Sequence, residues 1–156
     1  MIPYFMDEAR LVLPNAVSVR DRTYHALEVV TTTGEELKLG VSRTRMPPKQ
    51  TLREVVEASL ERAQRDLLGY RLLSVDERAY EACSGVEVRL RFLDDSVRGV
   101  ETPVFHHQFH CVMEAPGAGE RGERTWVTFM GSSQLSDLEA CDAWMVGVVS
   151  SMTLRT

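Results

Sequence analysis

The sequence predicts an α+β domain, a curved antiparallel sheet with helices packed on one of its faces. Three observations predict it. Several separate runs of strand length alternate apolar and polar residues. Short, turn-rich connections of hairpin type join most of them. Two other segments carry apolar residues at helical spacing, each opened by a capping-box pair. A chain of 156 residues suits one domain over 1–156.

Taken in order, Leu11-Val12-Leu13 is a short apolar stretch halted by Pro14 and reads as an edge strand. Tyr24 to Thr31 is rich in β-branched and aromatic residues and reads as a strand. Thr33-Gly34-Glu35 turns the chain into a second strand, Leu37 to Arg43, with Leu37, Leu39 and Val41 on one face. Pro47-Pro48 closes that segment. Thr51 and Glu54 then form a capping box before Leu52, Val55, Val56, Leu60, Ala63 and Leu67, the stripe of a helix that Gly69 ends. Tyr70 to Ala82 is mixed, a strand passing into a turn at Ser84-Gly85. Val86, Val88, Leu90 and Phe92 alternate with Glu87, Arg89 and Arg91, as a half-buried strand does. Asp94-Asp95 begins a turn, and Val104 to Met113 and Arg124 to Met130 are further strands. Ser136 with Glu139 opens a final helix whose stripe is Leu138, Cys141, Met145, Val148 and Met152.

Composition narrows the function classes. Hydrophobic residues make up 44% and charged residues 26%, values of an ordinary globular domain. A net charge of −5 argues against a general nucleic-acid binder, which needs a basic footprint. Cys83, Cys111 and Cys141 are odd in number and lack CxxC spacing, so they fit neither a disulfide framework nor a zinc site and read as small buried hydrophobes in a reducing compartment. The first residues carry no basic and apolar export pattern. The apolar-rich run from Ala143 to Leu154 is far short of the ~20 residues that cross a bilayer. The expectation is a cytoplasmic protein without a membrane span.

Chemical motifs fail on context. Gly117 to Gly122 spells GxGxxG, but strand-forming residues follow where a phosphate-binding helix must start, so it reads as a hairpin loop. His106 and His110 in a strand lie ~13 Å apart, too far to share one metal ion. His107 falls on the apolar side and reads as a hydrogen-bonded core or edge histidine. No nucleophile elbow is present. The expected class is a non-enzymatic binding protein with no cofactor and no metal.

Leu13-Pro14, Asp21-Arg22-Thr23, Val41-Ser42-Arg43, the capped Thr51-Leu52-Arg53-Glu54, Ser84-Gly85, Gln108 within a strand and the Trp144-to-Met152 helix occur in a familiar order. The run resembles the DcrB-like family of Mog1/PsbP-type fold, in particular the Eag chaperones of bacterial type VI secretion systems, over about residues 4 to 154. The glycine-rich loop at 115–123 and the histidines around Gln108 depart from that pattern. The resemblance implies a homodimer. It also implies a chaperone and adaptor role: holding the N-terminal hydrophobic helices of a PAAR- or Rhs-type effector in the cytoplasm and helping load that effector onto the secretion spike. A Mog1-like regulatory module or a binder of small hydrophobic ligands is the alternative.

Strand phase supplies the expected partner-binding residues. If Leu27, Val29, Leu39, Val41, Val88, Leu90, Phe105 and Phe109 face the helices, the open face carries Tyr24, Ala26, Glu28, Gly40, Ser42, Arg89, Arg91, His106, Gln108 and His110. Tyr24 and Ala26 would give close apolar contact, and Gln108 would satisfy polar groups of a client helix. Arg89 and Arg91 would pair with a client carboxylate or stay solvated.

Overall fold

The computed structural model describes the backbone of residues 2–5, 9–23, 26–114 and 124–154. These form strands β1 (Ile2–Phe5), β2 (Ala9–Leu13), β3 (Ala16–Thr23), β4 (Ala26–Thr31) and β5 (Glu36–Arg45), helix α1 (Leu52–Asp66), strands β6 (Arg71–Ala79), β7 (Ser84–Val97), β8 (Val100–Glu114) and β9 (Arg124–Gln134), helix α2 (Leu138–Ser150) and strand β10 (Thr153–Leu154). Tyr24 and the GxGxxG segment lie outside the described residues.

The α+β class and the antiparallel sheet are as the sequence predicts. A seven-stranded sheet runs in the order β3-β4-β5-β9-β8-β7-β6, with every neighbouring pair antiparallel. Two meanders, β3-β4-β5 and β6-β7-β8-β9, meet where β5 pairs with β9, and α1 carries the chain from the centre to the far edge. The stretch read as an edge strand is instead the middle of a small three-stranded sheet, β1-β2-β10.

The helices do not share a face. Each takes one, and the register of β7 is the reason. Val88 is paired with Gln108 and Arg89 with His107, so Val86, Val88 and Leu90 point to the opposite side of the sheet from Phe105 and Phe109. Val56 and Leu60 of α1 cover Val86, Val88 and Leu90 on one face. On the other, α2 and β2 bury Leu27, Leu39, Phe105, Phe109 and Phe129 against Trp144, Met145 and Val148. Gly131 lets α2 approach β9, since a Cβ there would stand 2.2 Å from Met145 Cγ.

Local signals were legible unevenly. The Thr51–Glu54 box forms in both directions, Thr51 N–H to Glu54 Oε2 at 2.7 Å and Glu54 N–H to Thr51 Oγ1 at 3.3 Å. The Ser136–Glu139 box does not form, because a 3-10 turn over Leu135–Asp137 precedes α2 and Asp137 takes the cap position without a side-chain bond. Asp94-Asp95 is no turn either. β7 runs on to Val97, and the hairpin tip is at Gly99, whose φ of 79° is the left-handed conformation glycine adopts freely.

Candidate functional site

Because α1 lies over β7 and the adjoining part of β8, the rest of that face, formed by β4, β5, β9 and the remainder of β8, stays open. Cross-strand register aligns residues there in rows. Ala26, Gly40, Met130 and Gln108 form one row, with Glu28, Lys38, Ser132 and His106 beside it and Ser42, Thr128 and His110 on the other side. Small side chains at Ala26 and Gly40 leave a hollow of about 360 Å³ walled by Met130, His106 and Ser132. It continues through Lys38, His106 and Ser132 into a second hollow of about 590 Å³ that Glu35, Glu36, Asp94 and Asp137 border.

A chain of hydrogen bonds fixes the polar groups of this face. The Trp126 indole N–H donates to His110 Nδ1 at 3.2 Å, which leaves the ring proton on Nε2, 3.0 Å from Gln108 Oε1. The Gln108 carboxamide is thereby oriented, with its NH2 toward Met130 Sδ at 3.8 Å. Burial pushes the His106 and His110 pKa values down to about 4, so both rings are neutral near pH 7. His106 also sits edge-on to Phe92, ring centroids 4.8 Å apart.

Of the ten expected residues, Ala26, Glu28, Gly40, Ser42, His106 and Gln108 come together on this open face. His110 lies on the same side but is buried beneath it, at 2% exposure, so it orients Gln108 and does not itself meet a partner. Arg89 and Arg91 are on the opposite face. They follow the phase of His107 and Phe105, their cross-strand partners; the apolar row of β7 belongs to α1, not to the core under α2. Tyr24 is outside the described residues. Sequence reading missed Met130, Ser132 and Lys38, although the alternation of Val127 and Phe129 with Thr128 and Met130 carries the signal for the first two.

A second polar constellation lies under α2. Glu87 is 1% and His107 0% exposed. His107 Nε2 stands 3.0 Å from Glu87 Oε1 and Nδ1 2.8 Å from Asp142 Oδ1, although neither N–H is aligned for a full hydrogen bond. Arg89 bonds Asp142 through Nε at 2.6 Å and Glu87 through Nη1 at 3.0 Å, and Tyr80 donates to Glu87 at 2.7 Å. Burial alone would raise the Glu87 pKa, but contact with His107 and the Tyr80 hydrogen bond outweigh it and hold the group at about 2. The carboxylates that sequence order placed far from the histidines thus reach His107 through β7 and α2. Through Asp142 these groups pin α2 to the sheet. No group of residues suited to a metal ion occurs among the described residues. No described helix is long and apolar enough to cross a membrane.

No family model matches the chain, and no curated protein matches it in sequence. Solved structures do match its fold. LpqN of Mycobacterium tuberculosis, involved in cell envelope biogenesis, superposes with a TM-score of 0.70 at 8% identity, over 95% of this chain and 83% of LpqN. PA94 of Pseudomonas aeruginosa, a protein of unknown function, gives 0.65 at 17% identity, over 100% and 98%. Cyanobacterial PsbP (CyanoP) from Synechocystis sp. PCC 6803 gives 0.53 at 15% identity, over 99% and 92%. At these identities the likeness is one of fold, PsbP/Mog1-like, and extends no further.

Proposed function

We propose that the chain is a non-enzymatic, cytoplasmic, homodimeric chaperone and adaptor whose open sheet face holds an apolar helix of a client, the N-terminal transmembrane segment of a type VI secretion effector. The row Ala26–Gly40–Met130–Gln108 is the observation that carries this reading. Four strands spaced ~4.8 Å apart make a strip ~14 Å wide, which takes one helix of ~10–12 Å diameter. Small residues allow close backbone approach, and polar groups on an apolar helix still need partners in a dry site. Gln108 retains one N–H for that purpose, its oxygen being committed to His110 and its other N–H turned to Met130 Sδ. A chain that releases no chemical energy can shield such a helix only by binding it.

Co-expression with the N-terminal hydrophobic segment of an effector encoded beside the gene tests the proposal. Ala26→Asp is expected to abolish capture while leaving the thermal midpoint nearly unchanged, because Ala26 is exposed. Arg91→Ala, on the opposite face, should bind as the parent does. Equal capture by Ala26→Asp would refute the proposal. A small hydrophobic ligand is the second reading, favoured by the ~360 Å³ hollow, a volume within the range of ligand sites. Native mass spectrometry of the purified chain separates the two through a bound small molecule.

A further inference from the structure

The cysteines form no part of the open face. We propose that Cys83 and Cys111 are a peroxide-responsive thiol pair: a hydroperoxide oxidises Cys83, and Cys111 then closes a disulfide that ties the β6–β7 turn to β8. Tyr80 N–H donates to the Cys83 carbonyl at 3.0 Å, which folds residues 80–83 into a tight turn. Two residues on, Gly85 is the cross-strand partner of Cys111, so the turn returns the Cys83 side chain toward that position. Cys83 packs on the core cluster that contains Cys111, in the strand phase of Gly85 and so on the same side of the sheet as Cys111, and the two thiols interact. Cys83 is half-buried and open to a small oxidant, whereas Cys111 has no exposed surface.

The interaction between the two thiols also divides their roles. Cys83 is the more exposed member, and its interaction with Cys111 lowers its pKa while that of Cys111 rises, making Cys83 the nucleophile of the pair. Cys141, under α2, is pushed up to about 11 by burial and provides an internal control. In the first step the Cys83 thiolate attacks the terminal peroxide oxygen: an S–O bond forms, the O–O bond breaks, and the alkoxide leaves and takes up a proton. In the second, Cys111 gives up its proton and attacks the sulfenyl sulfur; the S–S bond forms and water leaves. Two thiols are oxidised by two electrons, and one hydroperoxide is reduced to an alcohol and water. In a reducing compartment such a bond is transient and reversible.

Treating the reduced native chain with equimolar hydrogen peroxide, followed by alkylation and peptide mapping, tests the pair. The expected product is an intramolecular Cys83–Cys111 link, a chain lighter by two hydrogens, Cys141 still alkylatable, and both thiols restored by dithiothreitol. Cys83→Ser should resist oxidation, and Cys111→Ser should stop at a Cys83 sulfenic acid that dimedone traps. Before oxidation, Cys83 should alkylate at least about tenfold faster than Cys141. A sulfenic or sulfinic acid persisting on Cys83 of the parent chain, a Cys83 bond between two chains, or first oxidation at Cys141 would overturn the proposal. The parent map decides even if Cys111→Ser does not fold.

Discussion

Glu87→Gln removes the charge that Arg89 pairs with, on a carboxyl that Tyr80 also donates to and His107 stands beside. Leaving the partly buried Arg89 guanidinium with one carboxylate fewer should cost about 3 kcal/mol, read as a lower urea midpoint. Arg78→Ala, whose side chain is 55% exposed beside the same carboxylate, should cost far less. Titration adds a second expectation at this scale. His106 and His110 have pKa values near 4 in the fold against 6.5 in a free side chain, so the unfolded chain binds more protons between those values. Stability is therefore expected to fall as pH drops from 6.5 toward 4, and His110→Gln should flatten the slope. Glu87, held near 2 against 4.5, adds a further loss below pH 4.5. Gln108→Ala should weaken client capture and also cost about 1 kcal/mol, because the His110 Nε2–H loses its acceptor. Alternation alone marks Gln108 as outward-facing; it cannot reveal that a buried histidine has claimed its oxygen. Nor can it reveal Glu87, a charged residue at a solvent-like position in the pattern, closed over by residues from three other elements.

Among the elements, α2 depends most on one missing side chain. Gly131→Ala places a Cβ within 2.5 Å of both Met145 Cγ and Sδ, so the methionine or the helix must move. A loss of about 1–3 kcal/mol is expected, together with a change in the emission of Trp144, whose indole N–H bonds the Pro14 carbonyl at 3.0 Å. Hydrogen exchange should show α2 opening before the central strands. Strands and both helices were largely readable from periodicity, since each buries one face. Which face of the sheet each helix covers was not. An apolar row on β7 looks the same whether α1 or α2 covers it, and only the pairing of Val88 with Gln108 decides. The same ambiguity put Arg89 and Arg91 among the expected partner contacts. The second capping box failed for a related reason: a 3-10 turn placed Asp137, not Ser136, at the helix start.

At the scale of the whole molecule, a homodimer is part of the proposed function. Light scattering at micromolar concentration should return twice the chain mass of 17.6 kDa; a single-chain mass with and without client would refute the pairing. The order of events in synthesis follows from the small sheet. β2 has β1 on one side and β10 on the other, and the Ser151 hydroxyl accepts from the Val12 amide at 2.8 Å across a separation of 139 residues. A ribosome adding ~5–20 residues each second needs roughly 7–28 s to traverse that interval. Leu11 and Leu13, wholly enclosed in the finished fold, spend it without α2 or β10 to cover them. The nascent chain thus carries β2 without its cover until residues 138–154 emerge, and for that time it needs the protection that its finished form is proposed to give another protein.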